Sequence, residues 1–98
     1  MPGVGMNKSQ TWSSTSSTVT SSSSEIVSAT AGRRCLMIQN IGVKDCFVEL
    51  GGTAVKNVDI MLSKNGGMIL FDSGAIPIVA VEAVTAQGTT TVVVVEAT

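Results

Sequence analysis

Residues 34–40 read RCLMIQN and residues 90–96 read TTVVVVE, and these two stretches decide the class of fold. Both are short and rich in apolar or β-branched residues, which is typical of β-strands. Alternate side chains of a strand point to opposite faces, so Leu36 and Ile38 would lie on one face of the first stretch and Met37 on the other. Each stretch is therefore predicted to be a strand that is apolar on both faces.

Turn residues separate these two stretches from several more of the same kind. Glycine pairs such as Gly51-Gly52 and Gly66-Gly67 mark the turns. The further candidate strands are residues 25–29, 46–50, 58–62, 68–71 and 78–84. No stretch has the length or the periodicity of a helix. The sequence therefore predicts an all-β fold, a small antiparallel β-sandwich or barrel of about seven strands.

The N-terminal quarter of the chain has a different composition. Residues 9–24 read SQTWSSTSSTVTSSSS, in which only Trp12 and Val19 carry sizeable apolar groups. Such a segment buries too little surface to offset its own ordering entropy. We therefore predict a Ser/Thr-rich extended arm over residues 1–24 and a β-sandwich or barrel domain over residues 25–98. The arm is interpreted either as a flexible linker or, preferably, as a segment that lies along a partner.

Partner contacts are predicted for the arm and for its junction with the domain. Trp12 would be the main anchor and Val19 a second apolar contact, because tryptophan is enriched at interface hot spots. At the junction, Arg33 and Arg34 could fork onto carboxylates of a partner subunit. The alternative for the arginine pair is a solvated turn.

The two-faced strands indicate a second kind of contact. One face of each strand can fill the domain core, but the other needs a cover, and a symmetric homo-oligomer supplies it. Met37, Val92 and Val94 are the candidates for that oligomer interface. The alternative is a central strand that is enclosed on both sides within one sandwich. We favour the homo-oligomer, with a trimer as the first choice.

Composition argues against catalysis and against several partners. The 98 residues include no histidine, so the commonest acid–base group near neutral pH is missing, and the glycine pairs do not match a phosphate-binding loop. The formal net charge of −1 offers no basic surface for nucleic acid. The longest apolar run, residues 92–95, is too short for a membrane helix. We expect a protein that is not an enzyme, has no cofactor and binds neither nucleic acid nor membrane.

The two cysteines are interpreted as small buried apolar groups. Cys35 and Cys46 could face each other across a hairpin, but the start of the chain lacks the pattern of a signal peptide, which favours reduced thiols. Two thiols without histidine are half of a zinc shell, so a metal site would require zinc shared between subunits. We predict no metal site.

From Arg34 onward the chain resembles the small virion proteins of tailed bacteriophages, β-rich modules that decorate or cement capsids or sit in tails. The resemblance is carried by RCLMIQNIG at 34–42, FVELGGTA at 47–54, IML at 60–62, Gly66-Gly67 and GTTTVVVVE at 88–96. It implies a capsid decoration or cement protein, commonly trimeric, that is made in the host cytoplasm and resides on the capsid surface of the virion. The implied partner is the major capsid protein or another virion protein. The alternative is a tail, head-fibre or adaptor component.

Overall fold

The computed structural model describes residues 11–98, which form eight β-strands. The strands are β1 (Trp12–Val19), β2 (Ser24–Val27), β3 (Cys35–Asn40), β4 (Cys46–Leu50), β5 (Ile60–Leu62), β6 (Met68–Phe71), β7 (Val81–Thr85) and β8 (Thr90–Ala97). These described residues contain no helix that is long and apolar enough to cross a membrane. The predicted all-β class is confirmed.

The strands form two antiparallel four-stranded sheets that pack face to face. The front sheet has the order β1-β8-β3-β6 and the back sheet the order β2-β7-β4-β5. Strands equidistant from the β4–β5 connection are neighbours, so that β4 pairs with β5, β3 with β6, β2 with β7 and β1 with β8. A long hairpin rolled up in this way is a jelly roll, an eight-stranded form of the β-sandwich.

The predicted boundary between arm and domain is wrong for residues 12–24. All seven predicted strands are present within a few residues of their predicted bounds, but β1 is an eighth strand that lies wholly inside the predicted arm. β1 pairs with β8 over its full length, from Trp12 opposite Ala97 to Val19 opposite Thr90. Serine and threonine suit a half-exposed edge strand, and β8 supplies the hydrogen bonds that the segment lacks alone. Residues 1–10 of the predicted arm lie outside the described residues.

The core lies between the two sheets and contains three residues that the sequence placed at interfaces. Val19, Val92 and Val94 are fully or almost fully buried there, beside Leu36 and Ile38. Their predicted roles in partner or oligomer contacts are therefore wrong. The register decides the outcome, because Val92 and Val94 share the inward face of β8 while Val93 and Val95 share the outward face.

A buried amide ties the loops at one end of the sandwich together. Asn40 is fully buried, and its side-chain nitrogen donates to the carbonyl oxygens of Lys44 (2.7 Å) and Leu62 (3.0 Å). Its side-chain oxygen accepts from the Gly42 N–H (3.1 Å) and the Thr90 hydroxyl (2.8 Å). Two donors and two acceptors use the full capacity of the amide. A Cβ on Gly42 would overlap the Thr90 hydroxyl oxygen, so this turn requires glycine.

Val19→Ala should lower the free energy of unfolding by about 2 kcal/mol, because it removes two buried carbon atoms and leaves a cavity in the core. Val43→Ala is the matched control, since Val43 is 69% exposed, and it should change stability by less than about 0.5 kcal/mol. Urea denaturation followed by circular dichroism measures both. Equal, small effects would mean that β1 is not part of the cooperative fold.

Candidate functional site

The outward side of the front sheet carries three cross-strand rows of mainly apolar side chains. The register of the four strands aligns them as Trp12–Ala97–Cys35, Ser14–Val95–Met37–Leu70 and Ser16–Val93–Gln39–Met68. We call these eleven residues the outer face. The rows contain no charged side chain, although charged residues make up 13% of the chain. The outer face thus has the composition of a core layer rather than of a solvated surface.

Several side chains of the outer face are open to solvent in the described part of the chain. Trp12 is 57% exposed, Met68 52% and Leu70 48%. Met37, Val93 and Val95 are half-buried, because they lie on the central strands β3 and β8 and are flanked by neighbours. On soluble proteins, a contiguous apolar surface of this kind more often belongs to an interaction site than to a surface that stays in contact with solvent. Met37 therefore lies where an interface residue was predicted, and its contact with a partner stays a prediction.

The outward side of the back sheet is covered by the chain itself. The connection between β4 and β5, residues 51–59, lies over it, and Phe47, Ala54 and Val84 form a small buried cluster there. Ser23 fastens this connection, since its hydroxyl accepts from the Ala54 N–H (2.9 Å) and donates to Glu82 (2.7 Å). The two sheets therefore differ in that the 51–59 connection covers part of the back sheet, although Val58 and Met61 remain exposed there, while no such connection covers the front sheet among the described residues.

Arg33 serves the interior of the domain, so its predicted role as a partner contact is wrong. Its side chain is fully buried, and its Nε donates to Glu96 (2.8 Å). The two remaining nitrogens donate to the carbonyl oxygens of Pro77 (2.8 Å), Val79 (3.1 Å) and Ser28 (2.6 Å). The planar guanidinium thus joins three separate segments of the chain. Its donors are used within the domain and do not reach a partner carboxylate.

The other predicted partner residues lie on the surface. Arg34 is exposed, and its backbone N–H donates to the carbonyl oxygen of Ala97 (2.7 Å). Trp12 is the first residue of β1 and lies on the outer face, two residues before Ser14. Roles for Trp12 and Arg34 in partner binding stay predictions. Only Trp12 and Met37, of the seven predicted contact residues, lie on the outer face.

A cleft of about 530 Å³ lies at the outward side of the back sheet and includes Lys44, Phe47, Asp59 and Met61 in its lining. Asp59 raises the pKa of Glu49, because its carboxylate accepts a hydrogen bond from Glu49 only when Glu49 is protonated and because its charge disfavours the ionised form of Glu49. Asp59 also accepts from the Val55 N–H (2.6 Å), which closes the 51–59 connection. Asp59 therefore stabilises the 51–59 connection through its bond to the Val55 N–H rather than through Glu49. The described residues contain no cluster of three or more potential metal ligands.

The two cysteines occupy different environments on different sheets. Cys46 is fully buried in the core, and burial, with a smaller effect of the Asp45 charge, raises the pKa of its thiol to about 11. Its predicted burial is confirmed. Cys35 is half-buried and lies on the outer face beside Ala97, so its predicted burial holds only in part. Both thiols are free, and the hairpin pairing considered for them is not formed.

No family model, curated protein or solved structure matches this chain. Function is therefore inferred from the arrangement of its own residues and from the resemblance noted in its sequence.

Arg33→Ala should lower the free energy of unfolding by about 3 kcal/mol, because it leaves Glu96 and three backbone carbonyls without their donor. Arg33→Lys should recover only part of the loss, since one ammonium cannot span the three segments. Lys56→Ala, at an exposed position, is the control and should be nearly neutral. Thermal and urea unfolding measure all three. A neutral Arg33→Ala would contradict the internal role of Arg33.

Cys35 should react with a thiol reagent in the folded protein, whereas Cys46 should react only after denaturation. The reason is that burial both excludes the reagent from Cys46 and keeps its thiol protonated up to a pKa of about 11. Reaction with a chromogenic disulfide at pH 8, with and without guanidinium chloride, counts the accessible thiols, and peptide mapping identifies them. Equal rates in the folded state would contradict the placement of Cys46.

Proposed function

We propose that this protein is a non-catalytic structural module that binds another protein surface through the outer face. The observation that carries the proposal is the contiguous, uncharged apolar surface of Trp12, Met37, Leu70, Val95 and their neighbours. Burial of apolar area is worth about 25 cal/mol per Å², so covering this surface favours association. On the back sheet, by contrast, Ser23 and Glu82 are bonded within the chain and hold part of its own cover.

The specific role that we propose is a capsid decoration or cement protein of a tailed phage virion. The sequence resemblance from Arg34 onward supports this role. The jelly-roll topology adds a fold-level analogy, because viral capsid domains use it, although lectins and cupins use it too. The partner on this proposal is the major capsid protein, and the protein acts on the capsid surface after synthesis in the host cytoplasm.

The proposed mechanism is mechanical rather than chemical. A protein that binds one state of a shell and not the other stabilises that state by RT ln(1 + [L]/Kd) at each site. At a free concentration of one hundred times Kd, the gain is about 2.7 kcal/mol per site. Repetition over many sites of a shell multiplies the gain, so modest affinity through one apolar face is sufficient.

A homo-oligomer is part of the same proposal; the resemblance implies a trimer, whereas the edge of β1, which no strand of the described residues covers, favours a dimer. The means of attachment differs from the one that the sequence suggested. Residues 12–19 are paired with β8 and so are not free to extend along a shell, while Trp12 remains at the surface. Attachment therefore uses the outer face, including Trp12, rather than a detached arm.

The second candidate role is a tail, head-fibre or adaptor component of the virion, which the same apolar face would equally serve. Copy number separates the two roles. Quantitative mass spectrometry of purified virus particles from the source of this chain should find it in hundreds of copies per particle if it covers the capsid. A handful of copies would support the adaptor role, and absence from particles would contradict both.

Leu70→Lys should abolish attachment while leaving the protein folded, because Leu70 is 48% exposed on edge strand β6 and its loss removes little from the core. The matched control is Val58→Lys, which places the same charge on the 51–59 connection, where Val58 is 75% exposed. Co-sedimentation with shells that lack the protein measures attachment, and circular dichroism checks folding. Equal retention of binding by both folded variants would contradict the role of the outer face.

A further inference from the structure

The four edge strands of the sandwich are not equally protected against pairing with another chain. β5 has three residues and β6 has four, while β2 has four and carries Glu25 and a register irregularity. Short length, charge and bulges are the means by which edges avoid further pairing. β1 has none of them: it has eight residues, no charge and no proline, and pairs with β8 in one unbroken register.

The hydrogen bonds at the start of β1 fix which of its backbone groups face the open edge. Thr11 and Thr98 exchange both of their N–H···O bonds, at 3.1 and 3.0 Å. Hydrogen-bonded and non-hydrogen-bonded pairs alternate along an antiparallel ladder. The N–H and C=O groups of Trp12, Ser14, Ser16 and Thr18 therefore point away from β8. Within residues 11–98, no strand lies on that side of β1.

We propose that β1 pairs antiparallel with β1 of a second copy of this chain, around a two-fold axis at Thr15. In this register Trp12 is opposite Thr18 of the second copy, and Ser14 is opposite Ser16 of the second copy. It is the one register in which all four residues whose backbone groups point to the open edge form hydrogen-bonded pairs with one another. About eight new backbone hydrogen bonds then join two front sheets into one continuous sheet of about eight strands.

Self-pairing is favoured over another occupant by the chemistry of β1 itself. Eight uncharged residues, mostly serine and threonine, can face their own copy without bringing like charges together. The side chains of Trp12, Ser14 and Ser16 belong to the outer face, so the pairing also makes the two outer faces continuous. A two-fold contact of this kind is isologous and closes on itself, which prevents open-ended fibres.

This inference concerns the chain alone and does not depend on a role in a virion. It gives the dimer as the primary association, and it identifies the edge of β1 as the contact. A trimer would instead require β1 to meet a different edge, such as β6, in a closed ring. The tests below separate these two arrangements from each other and from a monomer.

The first test uses proline at two adjacent positions of β1. Ser16→Pro removes an N–H that points to the open edge, so it should give a folded monomer where the native chain is a dimer. Ser17→Pro removes an N–H from the ladder with β8, so it should lower the melting temperature or prevent folding. Light scattering coupled to size-exclusion chromatography at micromolar concentration reads the mass. A monomeric native chain, or a Ser16→Pro variant that is folded and still dimeric, would overturn the proposal.

The second test checks the register by exchanging charges. A variant with Ser14→Lys and Ser16→Lys should be monomeric, because the introduced lysines would lie opposite each other across the axis. A variant with Ser14→Glu and Ser16→Glu should be monomeric for the same reason. An equimolar mixture should recover a mixed dimer at low salt, which native mass spectrometry identifies. Failure of the folded variants to form the mixed dimer would overturn the predicted register.

The third test locates the two-fold axis by a disulfide. Thr15 would be opposite its own copy in a non-hydrogen-bonded pair, where Cα atoms are about 4.5 Å apart and a disulfide can form. In a Cys35→Ser background, Thr15→Cys should therefore cross-link into a covalent dimer under mild oxidation. Thr18→Cys is the control and should not, since its copies would lie six residues apart along the strands. A trimer in which Thr15→Cys fails to cross-link would overturn the proposal in favour of a ring contact.

Discussion

The position of β8 between β1 and β3 is the constraint on which the rest of the structure depends. Its four consecutive valines, residues 92–95, are apolar on both sides, and the two neighbouring strands hold it in a single register. Val92 and Val94 then fill the core, while Val93 and Val95 form the centre of the outer face. A shift of one residue would exchange the two sets. The packed core and the proposed interaction surface are thus two sides of the same strand.

Two buried polar side chains make this arrangement specific. Asn40 satisfies all four of its hydrogen-bonding positions at one end of the sandwich, and Arg33 bonds to Glu96 and to backbone carbonyls of two other segments. Both lie in turns or strand ends where apolar packing alone would permit several loop conformations. Because a buried polar group without its partners costs about 1–3 kcal/mol, alternative packings that break these bonds are disfavoured.

The sequence predicted the seven strands from β2 to β8 because their apolar runs and glycine turns carry a local signal. It did not predict β1, since SSTSST has no apolar alternation and becomes a strand only through pairing with β8. It also could not choose between the faces of residues 92–95, because all four are valine. The position of Arg33 beside the junction predicts a partner contact or a solvated turn, and only the folded chain brings Glu96 to it. Of the outer-face residues, the sequence predicted contacts for Trp12 and Met37. It missed Met68 and Leu70, because only the pairing of β6 with β3 places them on this face.

The central claim is that the outer face is covered by protein when this chain is in its working assembly, and side-chain footprinting tests it most directly. Met68 on the outer face and Met61 on the back sheet are both 52% exposed in the described chain, so their intrinsic reactivities are matched. Hydroxyl-radical oxidation followed by peptide mass spectrometry compares the assembled and the isolated protein. We predict that oxidation of Met68, and of Met37 and Trp12 with it, falls several-fold on assembly while oxidation of Met61 is unchanged. Protection of Met61 with unchanged oxidation of Met68 would contradict the account.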